Sequence, residues 1–354
     1  MKRIITCSDG TWEKPGQKDN GVVLPSNLLK LKTLIAPKDH NGTEQVSLYD
    51  EGAGTEWKDK IGGGLFGMGI NRNIIQAYQF IANHYDPGDE IWLFGFSRGA
   101  FTARSVAGFI RNSGLLRKEY LDTKSEDAFL FYKRRDDKSK PNSFEAIEFK
   151  RKYCYEHVRI KFVGVWDTVG ESGIPLELFD EINRNVLDCR FHDLELSSYV
   201  DFAYHALAID EHRKPFIPAL WMQQQKAKDE GQIMEQMWFA GVHGDIGGGY
   251  KEHELSDCAL LWMIEKAKSV GCEFKEYSSI ISNPLGEMHN SMNLLYEISG
   301  SKNRTIGSVF EYNETIAPSA LVRLKQNTDN YSIQVNPNLI KFMLKNKFRQ
   351  QEVM

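Results

Sequence analysis

Ser97 stands in Gly95-Phe96-Ser97-Arg98-Gly99-Ala100, a G-x-S-x-G arrangement. The apolar run Glu90-Ile91-Trp92-Leu93-Phe94 precedes it, and a stretch with small residues at Ala100, Ala103, Ala107 and Gly108 follows. That strand–turn–helix context gives the motif its chemical meaning. A serine held in a tight, strained turn projects its hydroxyl from the carboxyl end of a sheet. Glycines flank it because a Cβ there would collide with the neighbouring strand and helix. The backbone N–H of Arg98, at the start of the helix, would face negative charge developing on a substrate oxygen. An ordinary β-turn-α connection also uses small residues for packing, so the motif needs partners to become a site.

A serine hydroxyl needs a histidine to take its proton and a carboxylate to hold that histidine. On this elbow the chain order is Ser, then Asp or Glu, then His. Asp167 follows the run Ile160–Trp166, and His243 follows the run ending at Ala240, within Gly241-Val242-His243-Gly244-Asp245. Ser97, Asp167 and His243 therefore come in the required order. Each has a plainer alternative: Asp167 as an Asx-turn residue at a strand end, His243 as a loop histidine. Asp245 is a rival orienter. His205 and Asp210 are a rival base and acid, ranked lower because no strand is predicted to deliver them and a salt-bridged rim would use the same residues. A second oxyanion N–H is expected from the loop after the first strand, Ser8-Asp9-Gly10-Thr11-Trp12, at Gly10 or Thr11, with Asp9 organising the turn.

The elements that must position these residues can be read from periodicity. Arg3–Cys7, Gln45–Tyr49, Glu90–Phe94, Ile160–Trp166 and Glu235–Ala240 read as buried strands, each followed by Gly, Asp or Ser. Helices are predicted over Asn71–His84, stopped by Pro87-Gly88, over Ala100–Ile110, and over Leu255–Val270 with Gly271 just beyond. Strands alternating with helices predict an α/β fold, a mostly parallel sheet flanked by helices as in α/β hydrolases. Charged and aromatic stretches at 112–155 and 171–234 read as lid-like insertions. We expect a catalytic domain over 1–275 and a C-terminal extension, 276–354, packed on it. Gly62-Gly63-Gly64-Leu65-Phe66-Gly67-Met68-Gly69 lacks the strand before it and the acidic residue after it that a dinucleotide fingerprint needs, and no Gly-Lys-Ser/Thr closes it as a Walker A. It is predicted to be a flexible loop rimming the pocket.

Composition narrows the function classes. The 354 residues are 41% hydrophobic with a net charge of −4, and no basic stripe is long enough to track phosphates, which argues against nucleic-acid binding. Five scattered cysteines without a CxxC point to a reducing compartment. No apolar run reaches the roughly 18 residues of a membrane span, and the N-terminus lacks a signal-peptide core. The expectation is a cytoplasmic protein that contacts a membrane surface transiently at most.

Taken together, Asp9-Gly10-Thr11-Trp12, Gly62–Ala77, the elbow, Gly164–Gly170, His205–Arg213 and Gly241–Tyr250 resemble the α/β-hydrolase family DUF2235, which contains the catalytic domain of type VI secretion phospholipase effectors. The resemblance implies ester hydrolysis, with phospholipids as a substrate class, although the long membrane-anchoring region of those effectors is expected to be absent here. The expected reaction is two-step acyl transfer without a cofactor or metal. His243 deprotonates Ser97, N–H groups of Arg98 and of Gly10 or Thr11 stabilise the oxyanion, and Asp167 sets the imidazole tautomer. Arg98 and Arg104 are candidates for pairing with an anionic head group. The alternatives are a catalytically silent binding or effector module and a metal-dependent hydrolase using Asp9, Asp167, His243 and Asp245.

Overall fold

The computed structural model describes residues 1–10, 18–19, 22–52, 66–134, 136–169, 194–292, 300–307, 312–326 and 336–352. Among these, strands β1 (Arg3–Ser8), β2 (Gln45–Asp50), β3 (Glu90–Phe96), β4 (Ile160–Trp166), β5 (Val200–Ala208), β6 (Ile233–Phe239) and β7 (Glu314–Ile316) form one sheet in the order β2-β1-β3-β4-β5-β6-β7. Every pairing in it is parallel. A parallel sheet needs a crossover between successive strands and is covered on both faces. The helices supply that cover. They include α1 (Asn27–Leu34), α2 (Phe66–His84), α3 (Arg98–Ser113), α4 (Leu121–Lys133), α5 (Phe144–Tyr153), the short α6 (His243–Gly247), α7 (Glu254–Ser269), α8 (Pro318–Gln326) and α9 (Pro337–Glu352).

Side chains that alternate along each strand go to opposite cores. Ile4, Ile91, Leu93, Val163 and Val165 pack beneath α2, α3 and α4, where Tyr78 and Phe109 stack with ring centroids 4.0 Å apart. Ile5, Trp92, Phe94, Phe162 and Trp238 pack on the other face, against α1, α7 and α8. The strands accordingly read as near-continuous apolar runs.

The helix predictions hold with shifted ends. The helix expected over Ala100–Ile110 runs from Arg98 to Ser113, and the one expected over Leu255–Val270 runs from Glu254 to Ser269. Gly271, at φ 115°, takes the left-handed conformation past its end. The helix expected from Asn71 already starts at Phe66. Gly67 and Gly69 are therefore helical rather than part of a flexible loop, while Gly62–Leu65 lie outside the described residues.

The stretch 171–234 is not simply an insertion. Within it Val200–Ala208 is a central strand, hydrogen-bonded between β4 and β6. Its Asp201, Tyr204 and His205 interrupt the apolar run by which the other strands announce themselves. The stretch 112–155 holds α4 and α5, packed on the α3 side. Beyond 275, β7 extends the sheet: Ile316 pairs with Trp238, and the Trp238 indole N–H donates to Glu314 Oε2 at 2.8 Å.

Because all strands run the same way, the residues after β1, β3, β4, β5 and β6 lie at one edge of the sheet. The order reverses between β1 and β3, so the crevice of this sheet opens at their carboxyl ends. Close packing there leaves no room at the elbow glycines. A Cβ on Gly99 would lie 1.9 Å from the Ser8 carbonyl oxygen, and one on Gly95 would lie 2.4 Å from the Gly99 oxygen. Gly99→Ala is therefore expected to lower the unfolding free energy by at least ~1–3 kcal/mol, the cost of forcing extra volume into a packed interior. Urea denaturation measures it, and an unchanged midpoint would contradict the packing described.

Candidate active site

Ser97 is the single residue between β3 and α3. It has φ 57° and ψ −120°, a conformation costly for any residue with a Cβ. Two contacts hold it there. Its N–H donates to the Trp166 carbonyl at 3.0 Å, and its own carbonyl accepts the Phe101 N–H at 3.3 Å, starting α3. The strained turn lifts the hydroxyl off the sheet edge, where Oγ lies 2.9 Å from His243 Nε2.

His243 opens α6 directly after the β6 turn, at Gly241 φ 118°. Its ring lies between Phe96 and Phe216, with centroids 4.7 and 5.0 Å away. Its Nδ1 is 2.6 Å from Asp167 Oδ2. A carboxylate only accepts, so Nδ1 carries the proton and Nε2 is left to accept from the Ser97 hydroxyl. Ser97, His243 and Asp167 thus form one continuous hydrogen-bonded chain, although 146 and 76 positions separate the successive pairs.

Asp167 is fully buried, with φ 40°. Burial alone would raise its pKa. The positive charge of Arg304, together with hydrogen bonds from His243 and Arg304, outweighs burial and holds the carboxyl well below the usual carboxylate range. Its Oδ1 also accepts the Ala208 N–H at 3.0 Å, and its own N–H donates to the Ala206 carbonyl at 2.7 Å.

The family model described as "T6SS, Phospholipase effector Tle1-like, catalytic domain" matches residues 2–266. The chain belongs to this family. An uncharacterised protein of Saccharomyces cerevisiae is 31% identical over 236 residues, 61% of this chain and 32% of the yeast protein, so the chain spans about a third of that relative's length. Among solved structures, an uncharacterised Pseudomonas aeruginosa protein aligns over 80% of this chain and 49% of its own, with 14% identity and a TM-score of 0.47. The Tle1 effector bound to the VgrG spike of the type 6 secretion system aligns over 83% and 77%, with 15% identity and a TM-score of 0.42. A Thermogutta terrifontis esterase aligns over 76% and 84%, with 12% identity and a TM-score of 0.38.

The remaining candidate residues of this Tle1-like domain sort differently from the sequence expectation. Arg98 is the first residue of α3, where backbone N–H groups lack helical acceptors. Gly10 packs against the elbow, so that a Cβ there would lie 3.4 Å from that of Ser97. Its N–H, however, donates to Asp9 Oδ1 at 2.7 Å and does not point to an oxyanion. Thr11 lies outside the described residues. Asp9 does organise the turn: its carboxylate also accepts from Ser26 Oγ and from Tyr49 Oη, the latter at 2.6 Å.

His205 is not a rival base. It is buried on β5, its Nε2 accepts the Thr168 N–H at 3.0 Å, and its Nδ1 donates to Gln236 Oε1 at 3.2 Å. Burial, reinforced by the charge of Arg104, pushes its pKa down to about 3. It is a neutral brace for the backbone just after Asp167. Asp210 accepts the Gly241 N–H at 2.6 Å and so fixes the turn before His243. Asp245 accepts from Val242 N and from His289 Nδ1, at 3.0 and 2.6 Å, rather than from His243. Asp167 and His243 bond each other, whereas Asp9 and Asp245 serve other partners, and among the described residues these four groups do not gather as metal ligands would. The Arg104 guanidinium is buried against the Ala219 carbonyl and, 4.5 Å away, the Trp221 ring.

Two residues escaped the sequence reading. Glu211 Oε2 accepts the His243 N–H at 3.2 Å while binding Arg213, and only its place in the segment His205–Arg213 hinted at it. Arg304 reaches Asp167 from a polar run that looks like an ordinary surface loop.

Burial raises the Asp9 carboxyl from 3.8 to about 6, more than its three hydrogen bonds lower it. A carboxyl whose folded pKa is raised favours folding while protonated and loses that contribution as pH climbs from its unfolded to its folded value. Between about pH 4 and 6, the stability of the wild type should fall relative to Asp9→Asn by up to about 3 kcal/mol. Paired denaturation curves across that window check this. A pH-independent difference would contradict it.

Proposed function

We propose that the protein is a serine hydrolase that cleaves carboxylic esters by two-step acyl transfer, with phospholipid acyl esters as the substrate class suggested by its Tle1-like family. The single observation that supports this most is Ser97 Oγ lying 2.9 Å from a histidine whose other nitrogen is 2.6 Å from a buried carboxylate. In the first step His243 Nε2 takes the hydroxyl proton as Oγ attacks the ester carbonyl. Asp167 holds the tautomer and offsets the charge of the imidazolium. The tetrahedral oxyanion meets the N–H of Arg98, and Thr11 remains the candidate for the second donor. The alcohol leaves with the proton held by His243, and water, deprotonated by the same imidazole, releases the acid. General-base and oxyanion contributions of roughly 10²–10⁴ and 10²–10³ suffice for such chemistry.

Short p-nitrophenyl esters, mixed phospholipid vesicles and peptides, offered to wild type and Ser97→Ala, test the reading. Wild type should cleave esters in at least one of the first two classes, unchanged by exhaustive chelation, and Ser97→Ala should lose at least ~10³-fold in kcat. Hydrolysis by Ser97→Ala at the wild-type rate would overturn the proposal. So would a wild type inert to the whole panel, the behaviour of a silent binding module.

A further inference from the structure

We infer that Arg304 is a positioning residue for the hydrogen-bonded chain of the active site: its guanidinium fork locks the Asp167 carboxylate in the orientation that holds His243 toward Ser97. The inference rests on the hydrolase reading above. Arg304 is only 3% exposed and lies beyond residue 266, where the family match ends. Both terminal nitrogens are committed to the site. Nη1 donates to Asp167 Oδ1 at 2.5 Å and to the Ala208 carbonyl at 2.8 Å. Nη2 donates to Asp167 Oδ2 at 2.9 Å and to the Phe216 carbonyl at 2.6 Å. The fork is thus bidentate on the carboxylate and tied at both corners to backbone, on one side to the end of β5 and on the other to the residue whose ring packs against His243.

The backbone of Arg304 is fixed in turn. Its carbonyl accepts the side-chain amides of Asn336 and Asn338, each at 2.9 Å, at the start of α9. Oδ2 is the oxygen that His243 also uses. Without the guanidinium, the carboxylate would keep, among the described residues, the His243 and Ala208 N–H donors and could turn about its last torsion. A planar five-donor fork fixes that torsion, whereas an ammonium on a flexible stem supplies charge without a plane. The cation also offsets part of the carboxylate charge that stabilises the imidazolium. The contribution assigned to Arg304 is therefore orientation, not basicity, and it should appear in kcat rather than in substrate binding.

The test uses the full chain and a p-nitrophenyl ester, with kcat expressed per site counted from the acylation burst. Arg304→Ala should lower kcat per site by ~10²-fold with KM within about twofold, and millimolar guanidinium should restore it in part without affecting wild type or Ser97→Ala. Should Arg304→Ala fail to fold, Arg304→Lys, which keeps the charge and loses the fork, carries the test and should fall at least ~10-fold. A merely structural role would lower the melting temperature and the number of titratable sites but leave kcat per site at the wild-type value. That result, in either folded variant, would overturn the inference. Wild-type activity in Ser97→Ala would instead remove the hydrolase reading and say nothing against the Arg304–Asp167 geometry.

Discussion

A carboxylate with no access to water needs partners, and the layout of this sheet edge follows from giving Asp167 enough of them. An ionised group in a protein interior persists only when donors replace the water it has lost. Among the described residues Asp167 has four such contacts: the Ala208 N–H from the end of β5, His243 after β6, and both arms of Arg304 from beyond the crossover helices. Elements separated along the chain by 41 to 137 positions are thereby tied to one side chain. In the proposed reaction the same carboxylate fixes the imidazole, so its burial and its role share one arrangement.

The second constraint is steric. A parallel sheet sends every strand end to one rim, but only a turn with no room to spare lifts a hydroxyl clear of that rim. Ser8 and Asp9 crowd Gly99, Gly99 crowds Gly95, and Phe96 fills the space beside Gly247. The small residues of α3 are therefore a condition for the Ser97 conformation as well as good packing. Asp9 extends this bracing, joining the end of β1 to Ser26 at the start of α1 and to Tyr49 on β2. Asp210, Glu211 and His205 do the same at the other end of the site, each bonding backbone beside Asp167 or His243. In the proposed reaction, a few reacting atoms are thus held by a larger set of polar groups with defined partners.

Sequence patterning reveals what depends on local order and misses what depends on tertiary partners. The more apolar strands, the elbow and the order of Ser97, Asp167 and His243 could be read directly. Val200–Ala208 could not, because His205 and Tyr204 look like surface residues until Thr168 and Gln236 are seen to satisfy the imidazole. Gly10 looked like an oxyanion donor because nothing in a linear pattern says that Asp9 has already taken its N–H. Arg304 lies in Lys302-Asn303-Arg304, a run that any solvated loop would share, and only the folded chain brings its guanidinium to a buried acid. Glu314–Ile316 is too short to show a period.

The central claim is that Ser97 is made nucleophilic by His243, and covalent trapping addresses it most directly. The protein is treated with a fluorophosphonate and mapped by peptide mass spectrometry. One adduct per chain is predicted, confined to the peptide carrying Ser97 and lost when His243 is replaced by alanine. A folded wild type that stays unlabelled while a control serine hydrolase reacts, or labelling that is indifferent to His243, would contradict the account.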